Sequence, residues 1–247
     1  MDDWVVLAGA SGDIGQALAA TAREQGLKLF ALDIVEPPAN VDLFRQVDLA
    51  GATDGQVSRV ASDLGGLNVS YVVDVIGGAT VDELKLSDQS LLPMAVARAT
   101  VELNLLSAIA VMQICLPALR SSSGDRSVTF VSSINALGGY GIPAYSAAKA
   151  GLAGLAASYA VPLANVGIRV NAVALGTTRT ANFARINLEL GRSVDLNIIG
   201  GRLPRGRALT PEEVATTTLS LATRCPGVTG QVVVCDGAQS LARRPLD

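Results

Sequence analysis

The sequence contains no histidine. That absence excludes every Ser-His-Asp or Cys-His nucleophile arrangement and every His-ligated metal centre. Cysteine is scarce: Cys115, Cys225 and Cys235 are odd in number and scattered without metal-ligand spacing. They read as buried or inert thiols in a reducing compartment. Aromatic residues make up 4% of a chain that is 49% hydrophobic, so the core must be built from Ala, Val, Leu and Ile. No basic block stands out and the formal net charge is −3, which excludes a broad electrostatic footprint for nucleic acid. The start, M-D-D-W-V-V-L-A-G, lacks the basic region and long apolar stretch of a signal peptide. The most apolar helical stretch, residues 103–119, is broken by Asn104, Ser107, Gln113 and Pro117, which suits a buried or interface helix better than a membrane span. The expectation is a soluble cytoplasmic protein without nucleic-acid or membrane partners.

What is present is a regular alternation. Val-rich runs at 4–8, 28–32, 69–76, 127–131, 168–173 and 231–235 predict strands. Helical patterns occupy 14–25, 53–64, 92–119, 144–164 and 211–223. Thr210-Pro211-Glu212-Glu213 has an N-cap, a proline at the first helical position and two acids in the first turn. Pro93 is placed to play a similar part for the long fourth helix. Strand–helix alternation implies an α/β fold, a Rossmann-type doubly wound parallel sheet of about seven strands with helices on both faces. Its 247 residues suit one domain, 1–247, and no linker divides them. Residues 181–207 break the rhythm and read as a substrate loop or lid within that domain.

The first strand runs into Gly9-Ala10-Ser11-Gly12-Asp13-Ile14-Gly15 and a helix opens there. Glycines at such a turn let backbone approach a pyrophosphate at a helix N-terminus. Eighteen residues after Gly15, the second strand ends at Asp33, followed by Ile34 and Val35. A carboxylate there accepts hydrogen bonds from an adenosine ribose and repels a 2′-phosphate, which favours NAD over NADP.

In the middle of the chain lies A-Y-S-A-A-K-A-G-L, residues 144–152. Tyr145 and Lys149 are four apart and share a helical face. They could be a packed ring and a snorkelling stem, or a proton-transfer pair. Free tyrosine has a pKa of about 10, and a nearby ammonium would lower it toward working pH. The same stretch spells S-x-x-K, but its partner motifs S-D-N and K-T-G occur nowhere in the chain.

Taken in order, these motifs resemble the short-chain dehydrogenase/reductase family, in its single-domain branch, over essentially the whole length. The glycine turn comes first, then Asp48-Leu49, similar to the family's adenine-contacting pair. Asn104 opens N-L-L-S-A-I-A-V-M-Q-I-C-L-P, Ser132-Ser133 follows the fifth strand, and Tyr145-x-x-x-Lys149 opens the next helix. I-R-V-N-A-V-A-L-G-T-T-R-T, residues 168–180, resembles the nicotinamide-side loop, and V-T-G-Q-V-V-V-C-D-G, residues 228–237, the last strand.

The resemblance implies a catalytic set of Asn104, Ser133, Tyr145 and Lys149. Tyr145 would be the acid/base, Ser133 would hold the substrate oxygen, Lys149 the nicotinamide ribose, and Asn104 a water on the proton path. It implies cofactor contacts from Gly9, Ser11, Gly12, Asp13, Ile14, Gly15, Asp33, Asp48, Leu49, Gly77, Tyr145, Lys149, Gly176, Thr178 and Thr180, with Thr180 at the carboxamide. It also implies a homotetramer or homodimer joined through the long, Ala/Leu-rich fourth and fifth helices. No metal is implied.

Four departures stand out. Ala8 replaces the threonine before the first glycine, and Asp74-Val75-Ile76-Gly77 replaces the Asn-Asn-Ala-Gly motif. An Asp offers no amide donor, so the bond by which that motif braces the sheet must be rebuilt or lost. Leu175 replaces the proline before Gly176. Ser133 lies 12 residues before Tyr145, one fewer than in many relatives. This reads as a one-residue deletion that leaves Ser133 catalytic, while Ser132 meets the longer count.

The expected function is an NAD-dependent oxidoreductase acting on a secondary alcohol or its ketone. Alternatives are a 3-oxoacyl thioester reductase and a dinucleotide-binding scaffold or regulator that has lost redox chemistry. Halohydrin dehalogenases resemble this fold but carry Arg at the position of Lys149, and rank last. For the substrate, Phe183, Ile186, Leu188, Leu190, Leu196, Ile198 and Ile199 suggest an apolar lid. Arg185, Arg192 and Arg202 could meet an anionic group or face water.

Overall fold

In a computed structural model of the chain, which describes residues 2–37, 41–138, 140–192 and 196–242, the valine-rich runs become one parallel sheet. The first half contributes β1 (Trp4–Ala8), α1 (Asp13–Glu24), β2 (Lys28–Asp33), β3 (Leu43–Gln46), α2 (Asp54–Asp63) and β4 (Val69–Asp74). Then come α3 (Val81–Leu84), α4 (Met94–Val101), α5 (Ser107–Ser121), β5 (Arg126–Ser133) and α6 (Pro143–Ala164). The chain closes with β6 (Ile168–Leu175), α7 (Ala181–Glu189), α8 (Leu196–Gly201), α9 (Pro211–Arg224) and β7 (Val232–Cys235). Strand order is β3-β2-β1-β4-β5-β6-β7, all parallel. The order turns back between β1 and β4, and a crevice at the strand C-terminal ends is where such sheets bind ligands.

Side chains alternate across the sheet, so one strand feeds two cores. Val5 and Leu7 of β1 pack with Leu18, Ala19 and Ala22 of α1 and with Ala215, Leu219 and Ala222 of α9. Val6 and Ala8 join the opposite layer, with Val111, Met112, Ile114 and Cys115 of α5 and Leu152, Ala156 and Leu163 of α6. Small residues in the helices permit this close approach, as the aromatic-poor composition requires. Residues 94–121 and 143–164 are long and apolar enough to cross a bilayer, and both are placed along the sheet with their apolar faces contributing to this core.

Several boundaries differ from expectation. The third strand, β3, is short, polar and mostly exposed, an edge strand that no apolar run announces. β4 stops at Asp74 rather than residue 76, because the Asp74 carboxylate accepts the Ile76 N–H at 3.0 Å and turns the chain out of the sheet. β5 and β6 each continue two residues further than expected, to Ser133 and Leu175, which pair with each other. Leu175 thus stays within the sheet and is buried. Pro93 is an N-cap rather than the first helical residue. The predicted single helix 92–119 is divided by one π turn, Glu102–Leu106, which carries Asn104. The predicted lid contains two helices, α7 and α8; its residues 193–195 and the side chain of Leu196 lie outside the described residues.

The start of α9 forms as expected. Thr210 Oγ1 accepts the Glu213 N–H at 3.3 Å, and the Glu213 carboxylate accepts the Thr210 N–H at 3.1 Å. Arg205 and Arg207 hold the same carboxylate and keep its pKa well below the usual range. Thr210→Ala is therefore expected to destabilise the protein by about 1 kcal/mol, read as a lower urea midpoint with unchanged slope.

Candidate active site

The C-terminal ends of β1, β4, β5 and β6 open into one cavity of about 840 Å³. One end is the glycine turn. Gly9 adopts φ +87° and donates to the Leu32 carbonyl at 2.8 Å. A Cβ on Gly15 would lie 2.1 Å from the Gly9 carbonyl oxygen, so the turn closes only with glycine there. Ser11 N–H donates to the Asp33 carboxylate at 2.8 Å and its hydroxyl to the Val35 carbonyl at 2.7 Å. Asp33 also accepts the Ile34 N–H at 2.7 Å, so this acid braces the turn from the rim. At Gly12, the N-cap of α1, nothing lies within 4 Å of where a Cβ would be. Open backbone at a helix head, beside a turn closed tightly at Gly15, fits a dinucleotide pyrophosphate.

The other end holds the polar residues of β5 and α6. The Tyr145 phenol and the Ser133 hydroxyl adjoin in the cavity wall. Ser133 Oγ also meets the Asn135 side chain and accepts the Asn135 N–H, each at 3.2 Å. Ser132 is committed elsewhere: its hydroxyl donates to the Lys149 carbonyl at 2.8 Å, tying β5 to α6. Counting residues could not separate the two serines; their hydrogen bonds place Ser133 beside the tyrosine.

Lys149 is buried, and its Nζ donates to the carbonyls of Val131 at 2.9 Å and Ile76 at 3.3 Å. Burial lowers its pKa to about 8, opposed by the charge of Asp74. The Tyr145 hydroxyl departs from expectation. Burial pushes its pKa above the ordinary value and the Ser133 hydrogen bond only partly offsets this. The lysine's ammonium is drawn to the two carbonyls instead of lowering the phenol's pKa.

Asn104 is fully buried and fully bonded. Its amide donates to the Gly78 and Thr100 carbonyls, each at 3.0 Å, and its oxygen accepts the Gly78 N–H at 2.8 Å. This side chain clamps the backbone after β4.

The cavity wall includes Gly9, Ser11, Gly12, Asp13, Ile14, Gly15, Gly77, Ser133, Tyr145, Lys149, Gly176, Thr178 and Thr180. Asp33, Asp48, Leu49 and Asn104 do not line it. Asp48 instead accepts the Ala50 N–H at 2.9 Å, and Leu49 packs into the core. Thr178 is buried, its hydroxyl on the Gly176 carbonyl at 3.1 Å, while Thr180 caps α7 by accepting the Phe183 N–H at 3.1 Å. From the lid, Phe183, Ile186, Leu190, Ile199 and Arg192 reach the wall, whereas Leu188 and Ile198 are exposed.

A match to a family model described as enoyl-(acyl carrier protein) reductase spans residues 9–238. The chain belongs to the short-chain dehydrogenase/reductase family. An uncharacterised short-chain type dehydrogenase/reductase of Sinorhizobium fredii is 31% identical over 98% of this chain, which spans 44% of that protein's length. The cis-4-hydroxycyclohexanecarboxylate dehydrogenase of Sinomonas cyclohexanicum is 32% identical over 94% of both chains. Among solved structures, ligand-free aldohexose dehydrogenase of Thermoplasma acidophilum superposes with a TM-score of 0.85 at 25% identity, covering 100% of this chain and 96% of that one. As a short-chain dehydrogenase/reductase the chain is an oxidoreductase of a family that uses NAD(P), acts on small molecules and is typically oligomeric.

Some site residues escaped the family motifs. The Glu83 carboxylate, with no exposure, accepts the N–H groups of Ala144 at 2.7 Å and Tyr145 at 3.3 Å. It serves as a remote cap for the helix that carries Tyr145. Asp13 accepts the Ala181 N–H, joining the glycine turn to the head of α7. Gln239 lines the cavity, accepts the Thr177 N–H at 2.8 Å and donates to its hydroxyl at 3.1 Å. Ile142 adopts φ +58° immediately before Pro143, a left-handed conformation that costs a β-branched residue on the order of 1–3 kcal/mol. No local pattern marks any of these; each depends on a partner distant in sequence or on backbone geometry.

Proposed function

We propose that the protein is an NAD-dependent oxidoreductase that interconverts a secondary alcohol and a ketone, with Tyr145 as general acid/base. The observation that carries this reading is that Ser133, Tyr145 and Lys149 line one cavity together with the glycine turn. NAD, when bound, would supply the hydride acceptor in oxidation and, in its reduced form, the hydride donor in reduction. The chain's part is then positional and electrostatic. Ser133 orients the substrate oxygen toward Tyr145, and Tyr145 gives a proton to that oxygen in reduction or takes one in oxidation. Lys149 supplies positive charge from the cavity floor, and the apolar wall of Phe183, Ile186 and Leu190 limits water. The tyrosine's raised pKa makes it an acid at neutral pH, which suits the ketone-reducing direction.

NAD with a panel of secondary alcohols, followed by the absorbance of reduced nicotinamide, tests the proposal; no turnover with any alcohol or ketone overturns it. A 3-oxoacyl thioester is a second reading, favoured by 30% identity over 94% of this chain to the 3-oxoacyl-(acyl-carrier-protein) reductase of Thermotoga maritima. Parallel assays with a 3-oxoacyl thioester and with simple cyclic ketones separate the two.

Asp33 carries the cofactor preference. Its carboxylate stands at the rim beside the glycine turn, and at equal concentrations NAD is expected to outperform NADP. Asp33→Ala is expected to narrow that preference at least tenfold, both by removing the repelling charge and by releasing Ser11. A wild-type preference for NADP would refute the assignment.

A further inference from the structure

At the end of β4 an acid, Asp74, occupies the first position of the family's asparagine motif. It is 3% exposed, and its one hydrogen bond, accepted from Ile76 N–H, would be made equally well by an asparagine oxygen. The hydrogen bond therefore does not explain the charge. Burial raises the carboxyl pKa to about 6, held down in part by the Ile76 bond and by Lys149. The lysine ammonium donates to the carbonyl of the same residue, Ile76, so one residue's backbone is bound to both ions.

The other groups facing the pair are uncharged near neutrality. Ser132, Ser133 and Tyr145 share the cavity wall with Lys149, and Asn104 stands with Lys149 against Gly77. From α5 comes the Cys115 thiol, pushed far up by burial and by Asp74 itself. Among the described residues, the charge acting on Lys149 is that of Asp74.

We propose that Asp74 is a positioning residue for the reaction, the buried counter-ion that keeps Lys149 charged at the cavity floor through neutral pH. Its place in catalysis rests on the function proposed above; the coupling itself does not. The sign follows from the two titrations. Asp74 is ionised above about 6 and Lys149 is charged below about 8, so both groups held by Ile76 are charged between those values. Removing the carboxylate leaves burial unopposed and moves the lysine's titration to lower pH.

The test uses the empty protein labelled with 13C-lysine. The sequence has lysine only at positions 28, 85 and 149, so the Cε signals are readily resolved by NMR. In the wild type, Lys149 is expected to titrate near 8 and to show a smaller inflection near 6 as Asp74 ionises. Asp74→Asn keeps the acceptor for Ile76 and deletes only the charge. It is expected to abolish the inflection, shift the Lys149 midpoint to lower pH, and move the alkaline limb of the rate profile the same way. A merely structural role would alter thermal stability and leave that midpoint in place; an unchanged midpoint overturns the proposal. If the variant does not fold, the wild-type titration decides alone, and a Lys149 curve with no inflection near 6 overturns it. Absence of turnover in the wild type would sink the proposed function, whereas the coupling of the two ions stands or falls on the lysine titration, which needs no substrate.

Discussion

Tyr145→Phe is expected to lower kcat/KM by about 10²- to 10⁴-fold, the range that general acid/base groups contribute. The substitution removes one oxygen and leaves the ring, so α6 should keep its packing. Ser133 loses its partner across the cavity and retains the Asn135 contacts that hold its rotamer. Dinucleotide affinity, measured by fluorescence of the reduced cofactor, should change little, because the glycine turn lies at the other end of the cavity. The loss is thus expected in kcat, with a smaller effect on KM. Undiminished activity in the phenylalanine variant would remove Tyr145 from the mechanism and leave the site without its proton donor.

Gly77→Ala is expected to be strongly damaging at the reactive end of the cavity. Gly77 adopts φ +124°, a region L-residues rarely enter. An added Cβ would stand 2.3 Å from Asn104 Oδ1 and 2.9 Å from Lys149 Nζ. Neither neighbour can retreat. Asn104 is clamped by Gly78 and Thr100, and Lys149 by two carbonyls. Strain together with displaced hydrogen bonds amounts to about 2–4 kcal/mol, visible as a lower urea midpoint and as loss of activity. Gly51→Ala is the control: no atom lies within 4 Å of its added Cβ, and its stability should stay within about 0.5 kcal/mol of the parent. Equal effects at the two positions would mean that the Gly77 environment is not the rigid one described.

How much of this was legible in the sequence divides along a physical line. Strands buried on both faces write continuous Val-rich runs, so β1, β2, β4, β5 and β6 were readable within a few residues. β3 was not, because an exposed edge strand needs no such run. The glycine turn could be read because a local conformation demands local residue types. Tyr145 and Lys149 could be read because one helix brings them to one face. Their electrostatics could not, since the Lys149 contacts come from Ile76, just after β4, and from Val131 of β5, 73 and 18 residues away. Glu83 lies 61 positions before Ala144, and one of two adjacent acids in a short helix carries no sign of that partner. The π turn at Asn104 follows from tertiary clamping by Gly78, and its composition is ordinary for an α-helix.

The Glu83 contact has a further consequence. The first amides of a helix ordinarily have no partner within it and exchange readily with solvent. At the head of α6, Ala144 and Tyr145 instead donate to a buried carboxylate from α3, whose own cap, Thr80, meets the Thr100 hydroxyl at 3.1 Å. These pieces must open together or not at all. The backbone that carries the tyrosine is therefore protected as part of a cooperative unit reaching back to residue 80, and its local unfolding is governed from outside the helix.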